Sequence, residues 1–331
     1  MLLIDNNNIT DPAVNLALEE YCVRNLDMEN DYLLFYINEP SVIIGKHQNT
    51  VEEINADYIK SSNVHVIRRI SGGGAVYHDH GNLNFSFMTR HSNKSIHNFK
   101  LFTDPVVKVL RELGIDAELN GRNDITAAGR KISGNAQFTD TKSMFSHGTL
   151  LFDTNLDDVV KALNVQTDKI ESKGIKSVRS RVANISELTG NKMNIYEFKD
   201  KITESIFGTA DKIEYYRLTE KDSEEVRKLS EKKYRTWDWN YGRSPEFNIQ
   251  KKKRFVFGMI DARLHVKDGR ISEFRIFGDF LGHGELETVE KKIIGIKYDE
   301  KEIYEMLSET DLNHYLGNIS VEEFAEFLTE I

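Results

Sequence analysis

Apolar side chains at Val14, Ala17, Leu18, Tyr21 and Cys22 recur at three- and four-residue intervals, which predicts a helix. Asp11 stands where an N-cap belongs, and Pro12 occupies the first helical position. Cys22 falls on the apolar face, as a small buried hydrophobe. Residues 32–37 and 41–45 follow as two β-rich runs, split by the turn signal Asn38-Glu39-Pro40. Residues 64–70 predict a third strand that runs into Ser71-Gly72-Gly73-Gly74, and residues 75–78 resume extended structure. Residues 82–88 alternate, with Leu83, Phe85 and Phe87 on one face and Asn84 and Ser86 on the other, the pattern of a half-buried strand. Short turns rather than helices link these strands, so an antiparallel or mixed sheet fits better than a doubly wound parallel one.

Beyond the sheet, Val106, Val109, Leu110 and Leu113 mark a helix expected to start at Asp104-Pro105 and to stop at Gly114. A polar, glycine-bearing stretch spans 120–137. Residues 145–152 read as a strand, 156–163 as a short helix, and 166–184 as a basic loop. Helical patterns dominate 196–207 and 220–233. The chain changes character at Tyr241-Gly242-Arg243-Ser244-Pro245. After a charged run at 251–254, β runs at 255–266 and 271–277 are joined by Lys267-Asp268-Gly269-Arg270, a hairpin signal. The expected fold is therefore α+β. A large domain at 1–247 has a mixed or antiparallel sheet flanked by helices, and a small α+β module occupies 248–331.

Composition narrows the function. The net charge of −9, from 44 basic and 53 acidic residues, speaks against a general nucleic-acid binder. One cysteine cannot make an internal disulfide, which points to a reducing compartment. The first ten residues lack the basic region and apolar run of a signal peptide, and no apolar stretch approaches the roughly 20 residues of a membrane span. A cytoplasmic protein with no membrane partner is expected.

Three clusters carry candidate chemistry. In Arg68-Arg69-Ile70-Ser71-Gly72-Gly73-Gly74-Ala75-Val76-Tyr77-His78-Asp79, the glycines let backbone approach an anion, and the arginines add forked donors. Taken alone, a triple glycine between strands also makes a plain hairpin. It is not a P-loop, because no Gly-Lys-Ser/Thr ends it. In Gly121-Arg122-Asn123-Asp124 and Gly129-Arg130-Lys131-Ile132-Ser133-Gly134, a carboxylate and a lysine lie seven residues apart. Asp124 suits Mg²⁺ held with nucleotide phosphates, and Lys131 suits neutralising a carboxylate and a phosphate as they join. The plainer alternative is a hairpin with solvated charges. His147-Gly148-Thr149 enters a strand, where the histidine either lines a pocket or faces solvent. No zinc-ligand spacing and no Gly-x-Ser-x-Gly elbow is present.

In this order the clusters resemble the lipoate–protein ligase A family. Matching stretches include Asn15-Leu16-Ala17-Leu18-Glu19-Glu20, Gly81-Asn82, His147-Gly148-Thr149-Leu150-Leu151, Lys173-Gly174-Ile175-Lys176-Ser177-Val178-Arg179-Ser180-Arg181-Val182 and Trp237-Asp238-Trp239-Asn240-Tyr241-Gly242. The resemblance implies a catalytic domain akin to biotin ligases and a small C-terminal domain. It implies adenylation of lipoate by ATP, release of pyrophosphate, and transfer of the lipoyl group to a lysine of a lipoyl domain or of the glycine-cleavage H protein. It assigns Arg69, Gly74, Ala75, Val76, Tyr77 and Lys131 to ATP and adenylate, with Lys131 the catalytic group touching the lipoyl carboxyl. To these are added Asp124 for Mg²⁺, Ser71 and His78 on the phosphate side, and His147 in the pocket. Gly174, Lys176, Arg179 and Arg181 fall in a loop expected to cover the adenylate and keep water from it. The nearest rival is an ATP-independent octanoyl- or lipoyl-transferase. Some such relatives use a cysteine thioester, and here Cys22 lies away from the matched motifs. Biotin ligases carry a different glycine signature. A silent lipoate-binding protein would be expected to lose Lys131 or Asp124.

Overall fold

The computed structural model describes residues 1–92, 94–163, 180–190, 192–241, 249–267 and 269–330. Its contacts divide the chain into two compact units. One comprises Met1–Ile44, Val51–Arg68 and Val76–Asn240, and the other Gly45–Thr50, Arg69–Ala75 and Tyr241–Ile331. The boundary expected near residue 247 falls outside the described residues.

The first unit carries strands β1 (Leu2–Asp5), β2 (Tyr32–Ile37), β3 (Ser41–Ile44), β4 (His65–Arg68), β5 (Val76–His78), β6 (Asn82–Arg90), β7 (Ala117–Asn120), β8 (Asp124–Ala127), β9 (Arg130–Thr139), β10 (Ser143–Leu151) and β11 (Tyr215–Arg217). Among the described residues they form an eight-stranded sheet, β11-β1-β2-β6-β10-β9-β8-β7, and a three-stranded sheet, β4-β3-β5. The large sheet is mixed: β1 runs parallel to both β11 and β2, and β6, β10, β9, β8 and β7 continue antiparallel. Helix α1 (Pro12–Asn25) begins as expected, with Asp11 accepting from the N–H groups of Ala13 and Val14 and Pro12 at the first turn. Cys22 is fully buried on its inner face.

Two expectations change. The helix placed at Asp104-Pro105 is α2 (Phe99–Glu112). Asn98 caps it, and Pro105 sits inside it. The proline removes the bond that would reach Leu101, whose exposed flank tolerates the loss. Strand β6 is not half-buried: Asn84 and Ser86 are as inaccessible as Leu83 and Phe85. The apolar face packs into a core with Phe102 and Val106 of α2 and with Phe198 and Ile202 of helix α3 (Ile195–Phe207). Helix α1 covers the opposite face, packing on β6 and β10.

In the second unit, β12 (Ile249–Phe255), β13 (Gly258–Lys267) and β14 (Arg270–Gly278) make an antiparallel sheet. Strands β13 and β14 pair as the expected hairpin does, with Gly269 at φ +73°; Asp268 lies outside the described residues. The charged run at 251–254, not read as a strand, is part of β12 at the sheet edge, where lysines and arginine keep an exposed edge from pairing further. The sheet packs through Ile260, Leu264, Phe274 and Ile276 against Leu307, Leu312 and Phe324 of the C-terminal helices. Among the described residues no helix is long and apolar enough to cross a membrane.

Candidate active site

Lys131 and Asp124, seven residues apart in the chain, face each other across β8 and β9, with Nζ 2.8 Å from Oδ1. Ala128 and Gly129, both at positive φ, make the tight turn between the two strands. The pairing slips between Ile125 and Thr126: Ile125 opposes Ser133 and Thr126 opposes Lys131, leaving Ile132 as a bulged residue buried in the core. Such a bulge re-aims its neighbours. The backbone of Lys131 is held from the other side as well. Its N–H donates to the Arg181 carbonyl at 2.7 Å, and the Ala183 N–H donates to the Lys131 carbonyl at 2.9 Å. Gly134 lies under the lysine side chain; a Cβ there would sit 3.0 Å from Nζ and 3.1 Å from Cε. Both charged groups stay partly exposed, 38% and 37%. The stretch is a hairpin, as the plainer alternative held, but one whose charges are paired.

Asn123 and Asn135 stitch the same hairpin. The Asn135 N–H and Nδ2 both donate to the Asn123 carbonyl, at 3.0 and 2.9 Å, and Asn123 Nδ2 donates back to the Asn135 carbonyl. Asp124 supplies one carboxylate, and no group of three or more His, Cys, Asp or Glu gathers among the described residues. That donor set fits Mg²⁺ that arrives with a triphosphate, not a cage made by protein alone.

His147 is buried, not solvent-facing. On β10 it pairs with Ser86 of β6, on the face covered by α1. Its Nδ1 donates to Glu19 Oε1 at 2.9 Å and lies 3.1 Å from Oε2. Glu19 was not anticipated; two adjacent acids inside an otherwise apolar helix are the signal that would have found it. Its neighbour Glu20 is buried too, and meets Lys233 Nζ at 2.7 Å, the Tyr234 hydroxyl at 2.7 Å and Arg24 Nε at 2.9 Å. Burial disfavours ionising Glu20, but Lys233, Tyr234 and Arg24 outweigh it and hold the carboxyl below the ordinary range. Lys233 and Tyr234 lie in a single π-helical turn, Ser230–Tyr234, that follows helix α4 (Glu220–Leu229).

That turn leads to Trp239 and Asn240, which bracket Arg68. Asn240 Oδ1 accepts from the Arg68 N–H and the Trp239 indole donates to the Arg68 carbonyl, each at 2.8 Å. The Arg68 side chain donates back to the Trp239 carbonyl at 3.0 Å. The tryptophan motif thus fixes the residue just before the glycine-rich segment. Strands β4 and β5, on either side of that segment, both pair with β3 and not with each other. The segment therefore does not close a hairpin between β4 and β5. At its exit Val76, Tyr77 and His78 form β5, and burial pushes the Tyr77 phenol up.

Residues 69–75 belong to the second unit. There Arg69 turns back on its own segment: Nη2 donates to the carbonyls of Gly72 and Gly74 at 2.7 and 2.8 Å, and Nε to Ser71 Oγ at 3.0 Å. Ser71 is buried, and its carbonyl accepts from the Lys46 N–H. Gly73 adopts φ +91°, and a Cβ on Gly72 would meet the Phe280 carbonyl oxygen at 2.5 Å. A Cβ on Gly74 would meet nothing within 4 Å. Ala75 follows, partly exposed. Gly174, Lys176 and Arg179 of the expected covering loop lie outside the described residues; Arg181, its end, is described through its carbonyl bond to Lys131.

The mixed sheet with its lysine–carboxylate hairpin belongs to a catalytic domain of the lipoyl-ligase type. The family described as lipoyl protein ligase A/B catalytic domain matches residues 11–207, and the bacterial lipoate protein ligase C-terminus matches residues 244–328. The chain belongs to the lipoate–protein ligase family and is a ligase. It is 55% identical to lipoate-protein ligase LplJ of Bacillus subtilis, covering 99% of this chain and 100% of that one. It is 52% identical to lipoate–protein ligase 1 of Staphylococcus aureus, with the same coverage. Among solved structures, P. falciparum LipL1 in complex with lipoate has a TM-score of 0.81 at 26% identity, over 100% of this chain and 99% of that one. The bipartite lipoate protein ligase of Thermoplasma acidophilum, described with its E2 lipoyl domain, scores 0.66 at 32%, over 75% and 98%. A lipoate-protein ligase A bound with ATP scores 0.61 at 32%, over 73% and 97%.

Proposed function

We propose that this ligase adenylates lipoate with ATP and then lipoylates a carrier protein. A lipoate carboxylate oxygen attacks the α-phosphorus, the bond to pyrophosphate breaks, and lipoyl-AMP forms. The amine of a carrier lysine then attacks the lipoyl carbonyl, loses a proton and displaces AMP. The observation that carries this reading is the Lys131 ammonium, held on a bulged strand beside Asp124. Joining two anions needs a fixed positive charge between them, and one placed in advance costs no reorganisation. From its place beside Asp124, Lys131 meets the carboxylate and α-phosphate as they approach. Asp124 would hold Mg²⁺ together with the triphosphate, and the ion would offset further phosphate charge.

Arg69, Ser71, Gly74, Ala75, Val76, Tyr77 and His78 serve the nucleotide in this reading, and His147 borders the lipoyl chain. The ATP-bound and lipoate-bound relatives support both ligands. The relative described with an E2 lipoyl domain supports a carrier of that kind. Acceptors are the lipoyl domains of 2-oxoacid dehydrogenase E2 subunits or the glycine-cleavage H protein, and the setting is cytoplasmic.

The test is lipoate-dependent pyrophosphate release from ATP and Mg²⁺ without acceptor, run beside Lys131→Ala. Release by the wild type that disappears in the variant is expected. If the wild type stays silent, with H protein or lipoyl domain added, yet moves octanoyl or lipoyl groups between carriers without ATP, the chain is a transferase.

A further inference from the structure

His78 ends a line of four buried side chains whose hydrogen bonds all run one way. The line begins at backbone. The Asn8 N–H donates to Asn6 Oδ1 at 3.2 Å, and Asn6 Nδ2 donates to the Ile9 carbonyl at 3.1 Å and to Asn15 Oδ1 at 3.2 Å. Asn15 Nδ2 faces the Ile9 carbonyl at 2.9 Å, the Ile37 carbonyl at 3.4 Å and Asn38 Oδ1 at 2.9 Å. Asn38 Nδ2 then reaches His78 Nδ1 at 3.0 Å. Asn15 and Asn38 are fully inaccessible, and Asn6 and His78 nearly so.

An amide seen alone can be turned end for end, because oxygen and nitrogen look alike. This line leaves no such choice. Carbonyl oxygens only accept, so the atom of Asn15 that faces Ile9 and Ile37 must be its nitrogen. Asn38 must therefore offer oxygen to Asn15 and nitrogen to His78. A nitrogen that receives a donated hydrogen bond carries no proton of its own, so the His78 proton sits on Nε2. His147 is set the other way: a carboxylate only accepts, and Glu19 calls for the proton on Nδ1.

We propose that Asn6, Asn15 and Asn38 are positioning residues that hold His78 as the neutral Nε2–H tautomer, a hydrogen-bond donor at the exit of the glycine-rich segment. That His78 serves the nucleotide rests on the function proposed above; the tautomer does not. Breaking the line buries unpaired polar groups, so four side chains act as one rigid part.

The experiment is two-bond ¹⁵N–¹H correlation NMR of the full-length protein labelled at its ten histidines, with His78→Gln used to assign the signal. The expected wild-type pattern is a protonated Nε2 and a bare Nδ1 at neutral pH. A protonated Nδ1, or averaging between tautomers, overturns the proposal. Asn38→Asp offers only acceptors, and should move the proton to Nδ1 or leave both nitrogens protonated. Asn15→Asp makes Asn38 turn over, and should do the same from a residue that does not touch His78; an unmoved proton in a folded variant overturns the relay. In Asn38→Asp, lipoate-dependent pyrophosphate release should fall at least about tenfold, as when one oriented donor is lost. Unchanged release with the proton moved overturns the donor role. A wild type that releases no pyrophosphate defeats the proposed function and leaves the tautomer result standing.

Discussion

Replacing Gly134 with alanine isolates the placement of Lys131 from its charge. The added Cβ would lie 3.0 Å from Lys131 Nζ and 3.1 Å from Cε, against an ordinary contact of about 3.5 Å or more. The ammonium must therefore shift by about half an ångström. Its own chain absorbs this, because the far end of a lysine is the most easily moved part of it. Gly134 is not in the left-handed region, so alanine brings no backbone strain, and stiffening the unfolded chain adds about 0.5 kcal/mol of stability. Misplacement by about 1 Å can cost about a hundredfold in rate, so half of that corresponds to about tenfold. Steady-state pyrophosphate release should show kcat down about tenfold, with Tm unchanged or slightly raised. Full turnover in a folded variant would refute the argument that the resting position of Lys131 is the working one. A fall in Tm of many degrees would show that Gly134 serves packing instead.

The glycine-rich segment should separate by position. Gly72→Ala drives a Cβ to 2.5 Å from a carbonyl oxygen and should lower stability by about 1–3 kcal/mol in thermal melts. Gly74→Ala meets nothing, so it should melt like the wild type yet bind ATP more weakly in a titration; equal affinity would remove Gly74 from the nucleotide site. Burial opposes ionising Asp222, but the Tyr21 hydroxyl, both Thr219 donors and the Tyr216 hydroxyl bring its pKa down to about 2. A depressed pKa stabilises the fold above the unfolded value of about 3.9, and that stability, about 2 kcal/mol, drains away as pH falls toward about 2. Asp222→Asn should flatten that part of an acid-unfolding profile. Asn240→Ala leaves the buried Arg68 N–H without its partner and should cost about 1–3 kcal/mol by urea unfolding; no loss would mean that Trp239 alone holds Arg68.

What was legible in the chain is what short range decides. Asp11 and Pro12 start α1 because a cap and a preset φ act within four residues, and Gly269, at positive φ, turns the chain between two paired strands for the same reason. Lys131 and Asp124 were read as working together from a gap of seven, which a two-residue turn closes. Local rules failed where distant chain overrode them. Pro105 lies inside α2 because Asn98 already supplied a cap. The run at 251–254 is a strand because β13 pairs with it, whatever its charge. Glu19 and His147 stand 128 positions apart, and no period in the sequence joins them.

The reading of β6 as half-buried shows what such failures have in common. Alternation told correctly which residues share a face, but took polar to mean wet. In this sheet the polar face is covered by α1, and burying polar groups is costly unless each finds a partner. Partners are found in detail: Glu19 with His147, Glu20 with Lys233, Tyr234 and Arg24, and three asparagines in file behind His78. Leucine and valine would have covered the same strands without that cost. Polar groups kept at a cost and oriented one by one are what a reaction between charged partners needs. The buried asparagines and glutamates, which a hydropathy pattern treats as noise in α1 and β6, are therefore where the proposed function is best tested in this chain.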